Sequence, residues 1–526
     1  MSQDEYPALG VSGQRHPFET MPNRSPRDAE AWLDEAALAA PEFLHGNIEP
    51  QTISAVPPLS DLTAVEMIQL FRAREVSPVE VVEALIRHVE TSEGRISAII
   101  SLEVDSAISS AKESEKRYLT GTERPLEGVP YGLKDNIAVA GLPTSASSVI
   151  YADNIAARDS SVQARLAGAG AVFLAKHNLY PFAIGDEGDE TFGPTLNPWD
   201  LARTPGGSSA GTAASVAARQ MPFGLGTDTG GSIRLPSAWC GITGLKPTNG
   251  RVPRTGILPL SWTLDTVGPM ARCANDIGLV LDVIAGPDGE DRDCRDAPRP
   301  NHLASTSAGV RGLRLGIPSG WLTEQLHPEV DVAFRCACEC LESQGVELVT
   351  VRLPNAPLSM EIGWDIILAE LGSIHEANTA VLESYDAVFR QYVIDAKSLP
   401  VVTYLEALRS RVAVQDDFRR AFSEVDAVAV PGHISVAPRL GEMLLMTADG
   451  EVPWLEVAAR HTFPFNIAGL PSIALPTGLT ENGLPMSMQI AAAPYREDIC
   501  LALAGEFQRV TSFHQLAPPL VSDAGK

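Results

Sequence analysis

Lysine is scarce in this chain. Seven lysines stand among 526 residues, and Lys and Arg together number 40 against 66 Asp and Glu, for a formal net charge of −26. Binding to phosphate backbones or anionic lipid depends on clustered cations. The balance therefore argues for no nucleic-acid partner and no membrane surface, and for a solvated acidic exterior. No run of eighteen uncharged apolar residues occurs, so no transmembrane helix is expected. The opening MSQDEYPALG has neither a basic nor an apolar signal-peptide region. The seven cysteines gather only at Cys336, Cys338 and Cys340, a spacing that is neither a CxxC zinc pair nor a secreted disulfide framework. A reduced, cytoplasmic setting is the expectation.

Some catalytic signatures are missing as well. There is no GxSxG nucleophile elbow, and the ten histidines form no Ser/His/Asp pattern. The glycine-rich loops lack the Lys-Ser/Thr ending of a P-loop and do not spell GxGxxG, which argues against a nucleotide site.

What is present reads as an α/β protein. Residues 1–57 are polar, proline-dotted and weakly periodic, with one helix expected near Asp28–Ala40, and read as an N-terminal extension or arm; residues 58–526 read as the catalytic domain. Thr63-Ala-Val-Glu66 and Ser77-Pro-Val-Glu80 are capping boxes opening two helices, the second with proline at its first position. A helix over Ser161–Ala169, a strand over Ala171–Ala175, a small-residue helix over Ala213–Arg219, and strands over Ser472–Leu475 and Met486–Ala491 follow. This alternation predicts a mixed β-sheet covered by helices on both faces. Residues 290–430 are more helical, with helices over Trp364–His375 and Val401–Phe422, and are expected to shape the substrate site.

The densest chemistry lies between Thr204 and Ser237. Gly206-Gly207-Ser208-Ser209 and Gly230-Gly231-Ser232 flank a small-residue segment. Glycine doublets let polar groups approach the backbone closely, and a serine directly after each sets a hydroxyl beside exposed N–H groups. A serine hydroxyl is a weak nucleophile that needs a base and donors for the developing oxyanion. With no histidine pattern, lysine is the other base. Lys134 has an apolar approach, Val129-Pro130-Tyr131-Gly132-Leu133, and burial there would lower its amine toward neutrality.

Taken together, GVPYGLKDNI around Lys134, GGSS at 206–209 and GTDTGGSIR at 226–234 resemble the amidase signature family, and Ser208 and Ser232 have that family's separation. The resemblance runs over about 58–515, is densest over 126–270, and includes a closing segment at Thr462–Gln489. It implies an amidohydrolase that cleaves a carboxylic amide C–N bond through an acyl-Ser232 intermediate. Ser208, on a cis bond with Gly207, would bridge the nucleophile to Lys134 as base. The backbone N–H groups of Thr229, Gly230, Gly231 and Ser232 would form the oxyanion hole, and Asp135, Ser209, Asp228 and Arg234 would hold the loops. No metal and no cofactor is implied, and the partner is a small-molecule amide; carbamates, ureas, hydrazides and esters are open to the same chemistry, and a homodimer is one assembly open to the chain. Residues 360–390 resemble the free-standing amidases, and the A-type component of a tRNA-dependent amidotransferase complex is the alternative.

Several other residues compete for a role. Lys176, in LAKHN, is a decoy base expected to be structural, and His375 and His433 either face the substrate or pack in the core. Asp186, Glu187, Asp189 and Glu190 form an acidic loop that is either solvated or biased toward cationic substrates.

Overall fold

The computed structural model describes residues 25–39, 41–44, 46, 56–187 and 191–523. Both capping boxes form. Thr63 Oγ1 accepts the Glu66 N–H at 3.2 Å while Glu66 accepts the Thr63 N–H at 2.8 Å, and Ser77 and Glu80 repeat the exchange. Each cap is worth about 1 kcal/mol. The helix Pro78–Ile96 buries the stripe Val81, Val82, Leu85, Ile86 and Val89, because those positions recur on one face at the helical period.

The strands, in chain order, are β1 (Ile99–Leu102), β2 (Pro130–Lys134), β3 (Val172–His177), β4 (Phe223–Asp228), β5 (Thr243–Lys246), β6 (Thr266–Ala271), β7 (Arg314–Pro318), β8 (Glu347–Val351), β9 (Ala427–Pro431), β10 (Leu444–Thr447), β11 (Gly450–Pro453), β12 (Ser472–Leu479) and β13 (Pro485–Ala492). Eleven of them make one sheet in the order β1-β3-β2-β4-β6-β5-β12-β13-β9-β7-β8, while β10 and β11 form a separate hairpin. The pairs β2–β3, β2–β4, β7–β8 and β7–β9 are parallel and the other pairs are antiparallel. Mixed polarity with helical cover matches the fold expected from the alternation.

Several local expectations shift, among them the helix expected over Trp364–His375, which spans Leu358–Ile374. The small-residue helix spans Ala210–Ala217 rather than starting at Ala213, so it opens directly after Ser209. A β-carbon at Gly226 of β4 would stand 2.7 Å from Ser209 Oγ, so glycine is what lets this helix terminus lie against the sheet. Residues 290–430 are also not purely helical: they supply β7, β8 and β9, one edge of the sheet. The periodicity missed them because β8 is partly exposed on the sheet edge and β7 is a five-residue run holding Gly316. The Asp28–Leu38 helix packs on the Val401–Ala421 helix. There Glu30 pairs with Arg411 and Arg295, both at 2.9 Å, and Gln415 donates to the Ala29 carbonyl at 2.8 Å.

Because β2 and β4 are parallel neighbours, their C-terminal ends emerge at the same sheet edge. That edge is where open α/β sheets gather reactive groups.

Candidate active site

Lys134 is the last residue of β2 and Asp228 the last of β4. The chain leaving β4 makes the Thr229–Ser232 loop and enters the helix Arg234–Cys240; the Gly206–Ser209 loop enters the helix Ala210–Ala217. The sheet edge and the two loops thus bring Lys134, Ser208 and the Ser232 loop together. Lys134 is fully buried and Ser208 is 2% exposed, whereas Ser232 is half-buried. The candidate base is shielded and the candidate nucleophile is reachable.

Lys134 Nζ donates to Ser208 Oγ at 2.8 Å and to Thr227 Oγ1 at 2.9 Å. Burial lowers the amine from 10.5 to about 7, against the opposing pull of Asp265 and Asp228. The Gly207–Ser208 peptide is cis. Gly207 carries no side chain for a steric reason: a β-carbon there would fall 2.4–2.6 Å from the Tyr180 ring. Ser209 links the two loops through its N–H to the Ser232 carbonyl at 3.2 Å, and its hydroxyl donates to the Thr227 carbonyl at 3.2 Å.

Below the loop sits a buried ion pair. Asp228 accepts from the N–H groups of Gly231 and Ile233, from Asn466 and from Arg234 Nε and Nη2. Burial alone would raise its carboxyl, but the Arg234 guanidinium and these donors outweigh that and hold it below the usual carboxylate range. Arg234 continues to Gln489 at 3.1 Å and to the Thr462 carbonyl at 3.2 Å. The pair therefore clamps the loop to the C-terminal segment by charge-assisted bonds.

One part of the expected oxyanion hole differs. The Gly231 N–H is already committed to Asp228 at 2.8 Å. The N–H groups of Gly230 and Ser232 have no acceptor among the described residues, which leaves them to a ligand. Ser232 Oγ makes no hydrogen bond to a described residue, so a Ser232–Ser208 bridge is not formed in this structure.

Asp135 does not touch Lys134. It pairs with Lys176 at 2.8 Å and accepts from the Ser145 N–H at 2.9 Å and from the Ser145 hydroxyl. Lys176 also donates to the Ile137 carbonyl at 2.6 Å, so the decoy lysine is an internal tie for the segment that follows β2. His375 lies among Phe182, Tyr385 and Phe389 with Nδ1 at 2.8 Å from the Tyr385 hydroxyl, and His433 packs against Trp239 and Trp454. Burial lowers both imidazoles to about 4, which keeps them neutral packing groups.

Of the acidic loop, Asp189 and Glu190 lie outside the described residues. The Asp186 N–H donates to Asp386 at 3.1 Å. Glu187 accepts from the Tyr180 hydroxyl and the Thr204 hydroxyl, each at 2.7 Å, and from the Gly441 N–H at 3.2 Å. Glu187 is therefore an internal staple beside the Gly206–Ser209 loop.

Sequence reading missed Thr227 and Asp265. Thr227 precedes Asp228 and takes the second Lys134 hydrogen bond; Asp265 accepts from Thr229 Oγ1 at 2.5 Å. Neither lies in a glycine–serine cluster. The alternation of β4 signals that Thr227 and Asp228 face opposite sides of the sheet; no local pattern marks Asp265. Asn466 and Gln489 fall within the closing segment at Thr462–Gln489, which marked their neighbourhood without their roles.

Residues 80–501 match a family model described as Amidase. Among curated relatives, the A-type subunit of glutamyl-tRNA(Gln) amidotransferase from Roseiflexus castenholzii is 36% identical over 491 residues, covering 89% of this chain and 99% of the relative. Its counterpart from Myxococcus xanthus is 36% identical over 497 residues, covering 88% and 100%. Among solved structures, a protein complex described as revealing the origins of an s-triazine catabolic enzyme has a TM-score of 0.81 at 32% identity, covering 86% of this chain and 99% of that one. Substrate-bound 6-aminohexanoate cyclic dimer hydrolase has a TM-score of 0.78 at 27% identity, covering 88% and 99%.

These relatives correct the expectation of no nucleic-acid partner, since they are named as subunits of an enzyme of glutamyl-tRNA(Gln). Net charge speaks to this chain's own surface alone, and so does not decide what an assembly would bind. They also favour the amidotransferase alternative over the free-standing reading taken from residues 360–390, a segment far shorter than the matched length. Among the described residues no helix is long and apolar enough to cross a membrane.

Proposed function

Because this chain belongs to the amidase signature family, we propose that it breaks a carboxylic amide C–N bond at Ser232 and serves as the A-type subunit of an amidotransferase of the glutamyl-tRNA kind. Ser232 Oγ attacks the carbonyl carbon; its proton passes to Ser208 Oγ while the Ser208 proton passes to neutral Lys134 Nζ. The oxyanion is received by the free N–H groups of Gly230 and Ser232, donors of a kind worth about 3–4 kcal/mol apiece in a preorganised site. The resulting lysinium returns the proton to the departing nitrogen, releasing ammonia or an amine; water then attacks the acyl carbon, giving its proton through Ser208 to Lys134, and the acyl–Oγ bond breaks to release the carboxylic acid and restore the Ser232 hydroxyl. Asp228 and Arg234 keep the loop in place.

The observation that carries the chemistry is Lys134. A fully buried amine, lowered to about 7 and bonded at 2.8 Å to a serine hydroxyl, is a base at neutral pH. The partner half rests on relatives matched over 99% of their own length.

The test compares the purified chain with the chain joined to the other subunits of such an amidotransferase and glutamyl-tRNA, measuring ammonia release from glutamine. Release that rises several-fold with the partners supports the reading. Full turnover of simple carboxamides by the chain alone, indifferent to the partners, returns the assignment to a free-standing hydrolase.

A further inference from the structure

The ladder between β4 and β6 sets up an unassigned contact. Asp228 pairs with Thr266 in antiparallel register, so the next residues out, Thr229 and Asp265, stand opposite one another where cross-strand side chains meet. Thr229 Oγ1 donates to Asp265 Oδ1 at 2.5 Å. The other carboxylate oxygen accepts the N–H groups of Leu260 at 2.9 Å and Ser261 at 3.1 Å. Asp265 thus closes its own turn with one oxygen and holds the first residue of the Ser232 loop with the other. The turn is anchored in its own right: Ser261 donates its hydroxyl to Glu370, on the helix Leu358–Ile374, at 2.5 Å.

We propose that Asp265 is a positioning residue for the reaction: through Thr229 it fixes where the N–H groups of Gly230 and Ser232 point. The proposal rests on the Ser232 chemistry argued above. Thr229 precedes Gly230-Gly231, a doublet with little side-chain bulk to restrain it, so the Thr229 hydroxyl is a tether at the point where the loop leaves the strand. Displacement of a reacting geometry by about 1 Å can cost on the order of 100-fold.

Asp265 is also within electrostatic reach of the base. Among the charges that act on Lys134, Asp265 comes before Asp228. The charged groups around Asp265 are Lys134, on which it acts, Arg254, Asp291 in the same cavity, and Glu370 beyond Ser261. Burial raises its carboxyl to about 6, with the Thr229 hydroxyl, the two N–H donors and Arg254 opposing. A cavity of about 250 Å³ lined by Arg254, Trp262, Asp265 and Asp291 approaches it from the surface, and Trp262 is 43% exposed at that rim. With its carboxyl at about 6, Asp265 is mostly ionised at the midpoint near 7 where Lys134 titrates, and an anion there favours protonated Lys134. Removing it moves the acid limb of the rate profile to lower pH.

Three variants test this. The wild-type chain is first labelled with a fluorophosphonate; no adduct on Ser232 means the underlying site reading has failed, separately from this proposal. With labelling at Ser232 established, Thr229→Val, which keeps the shape and deletes the hydroxyl, is expected to lose about 10- to 100-fold in labelling rate and kcat with KM within about 3-fold. Thr229→Ser is expected to recover most of the rate. Asp265→Asn is expected to lose rate and to shift the acid limb of kcat/KM down by about one pH unit. Wild-type kcat in Thr229→Val, or an unmoved acid limb in Asp265→Asn, overturns the proposal. A purely structural role for Asp265 lowers thermal stability and leaves that limb in place. If Asp265→Asn does not fold, the Thr229 pair decides alone.

Discussion

Lys134 gives one prediction that couples activity to stability with opposite signs. Its amine is lowered from 10.5 to about 7 in the fold because it is fully buried. The neutral form is the base, so kcat/KM is expected to be half-maximal near pH 7, about one-tenth of maximal at pH 6 and about nine-tenths at pH 8. The same gap bears on folding. Between pH 7 and 10.5 the unfolded chain holds a proton at this site that the native chain does not, so the native state gains stability as pH rises through that window. Below pH 7 the full cost applies, about 5 kcal/mol at 1.36 kcal/mol per unit; at pH 8 about 3 kcal/mol remains, and above 10.5 none. Lys134→Met removes that cost and also the hydrogen bonds to Ser208 and Thr227, which return roughly 1 kcal/mol each. The variant is expected to be inactive yet about 1 kcal/mol more stable than wild type at pH 8, with the advantage gone by pH 10. Rate profiles from pH 5.5 to 9 and thermal unfolding at pH 8 and 10 measure both. A profile flat from pH 5.5 to 9, or an active Lys134→Met, refutes the reasoning.

Ser232→Ala is expected to abolish fluorophosphonate labelling and to cut turnover by at least about 1,000-fold with unchanged thermal stability, while Ser208→Ala loses orders of magnitude in rate but retains Ser232 for slow labelling. Arg234→Met leaves Asp228 charged and buried without its partner, so a loss of about 3–5 kcal/mol is expected in denaturant unfolding, with the double variant Arg234→Met/Asp228→Asn recovering part of it. Lys176→Met destabilises through unpaired Asp135, but the surviving folded enzyme keeps the acid limb near pH 7; a lost limb would move the base to Lys176. Glu187→Gln weakens the tie among Tyr180, Thr204 and Gly441 and is expected to lower kcat equally for neutral and cationic amides; a loss confined to cationic substrates would restore the substrate-selecting reading of this carboxylate.

Local signals carried much of the chain. The capping boxes at Thr63 and Ser77 needed only four residues each, and they formed where the pattern put them. The glycine–serine clusters and the apolar approach to Lys134 were also legible, because a loop that must bring backbone N–H groups near a hydroxyl needs small residues in sequence order. Pairing across the fold was not legible. Lys134 meets Ser208 74 residues away because Ser209 ties the Gly206–Ser209 loop to the end of β4, beside the end of β2; Arg234 reaches Asn466 and Gln489 more than 230 residues on; Thr229 faces Asp265 only through the β4–β6 register. Glu187 reads as one of four surface carboxylates until the fold brings Tyr180, Thr204 and Gly441 around it. Sequence determined which backbone segments could do chemistry, since that depends on residue size and local capping. Tertiary structure decided which charges are buried together, and so the proton affinity of Lys134, because desolvation and charge pairing depend on what surrounds a group in space and not on its neighbours along the chain.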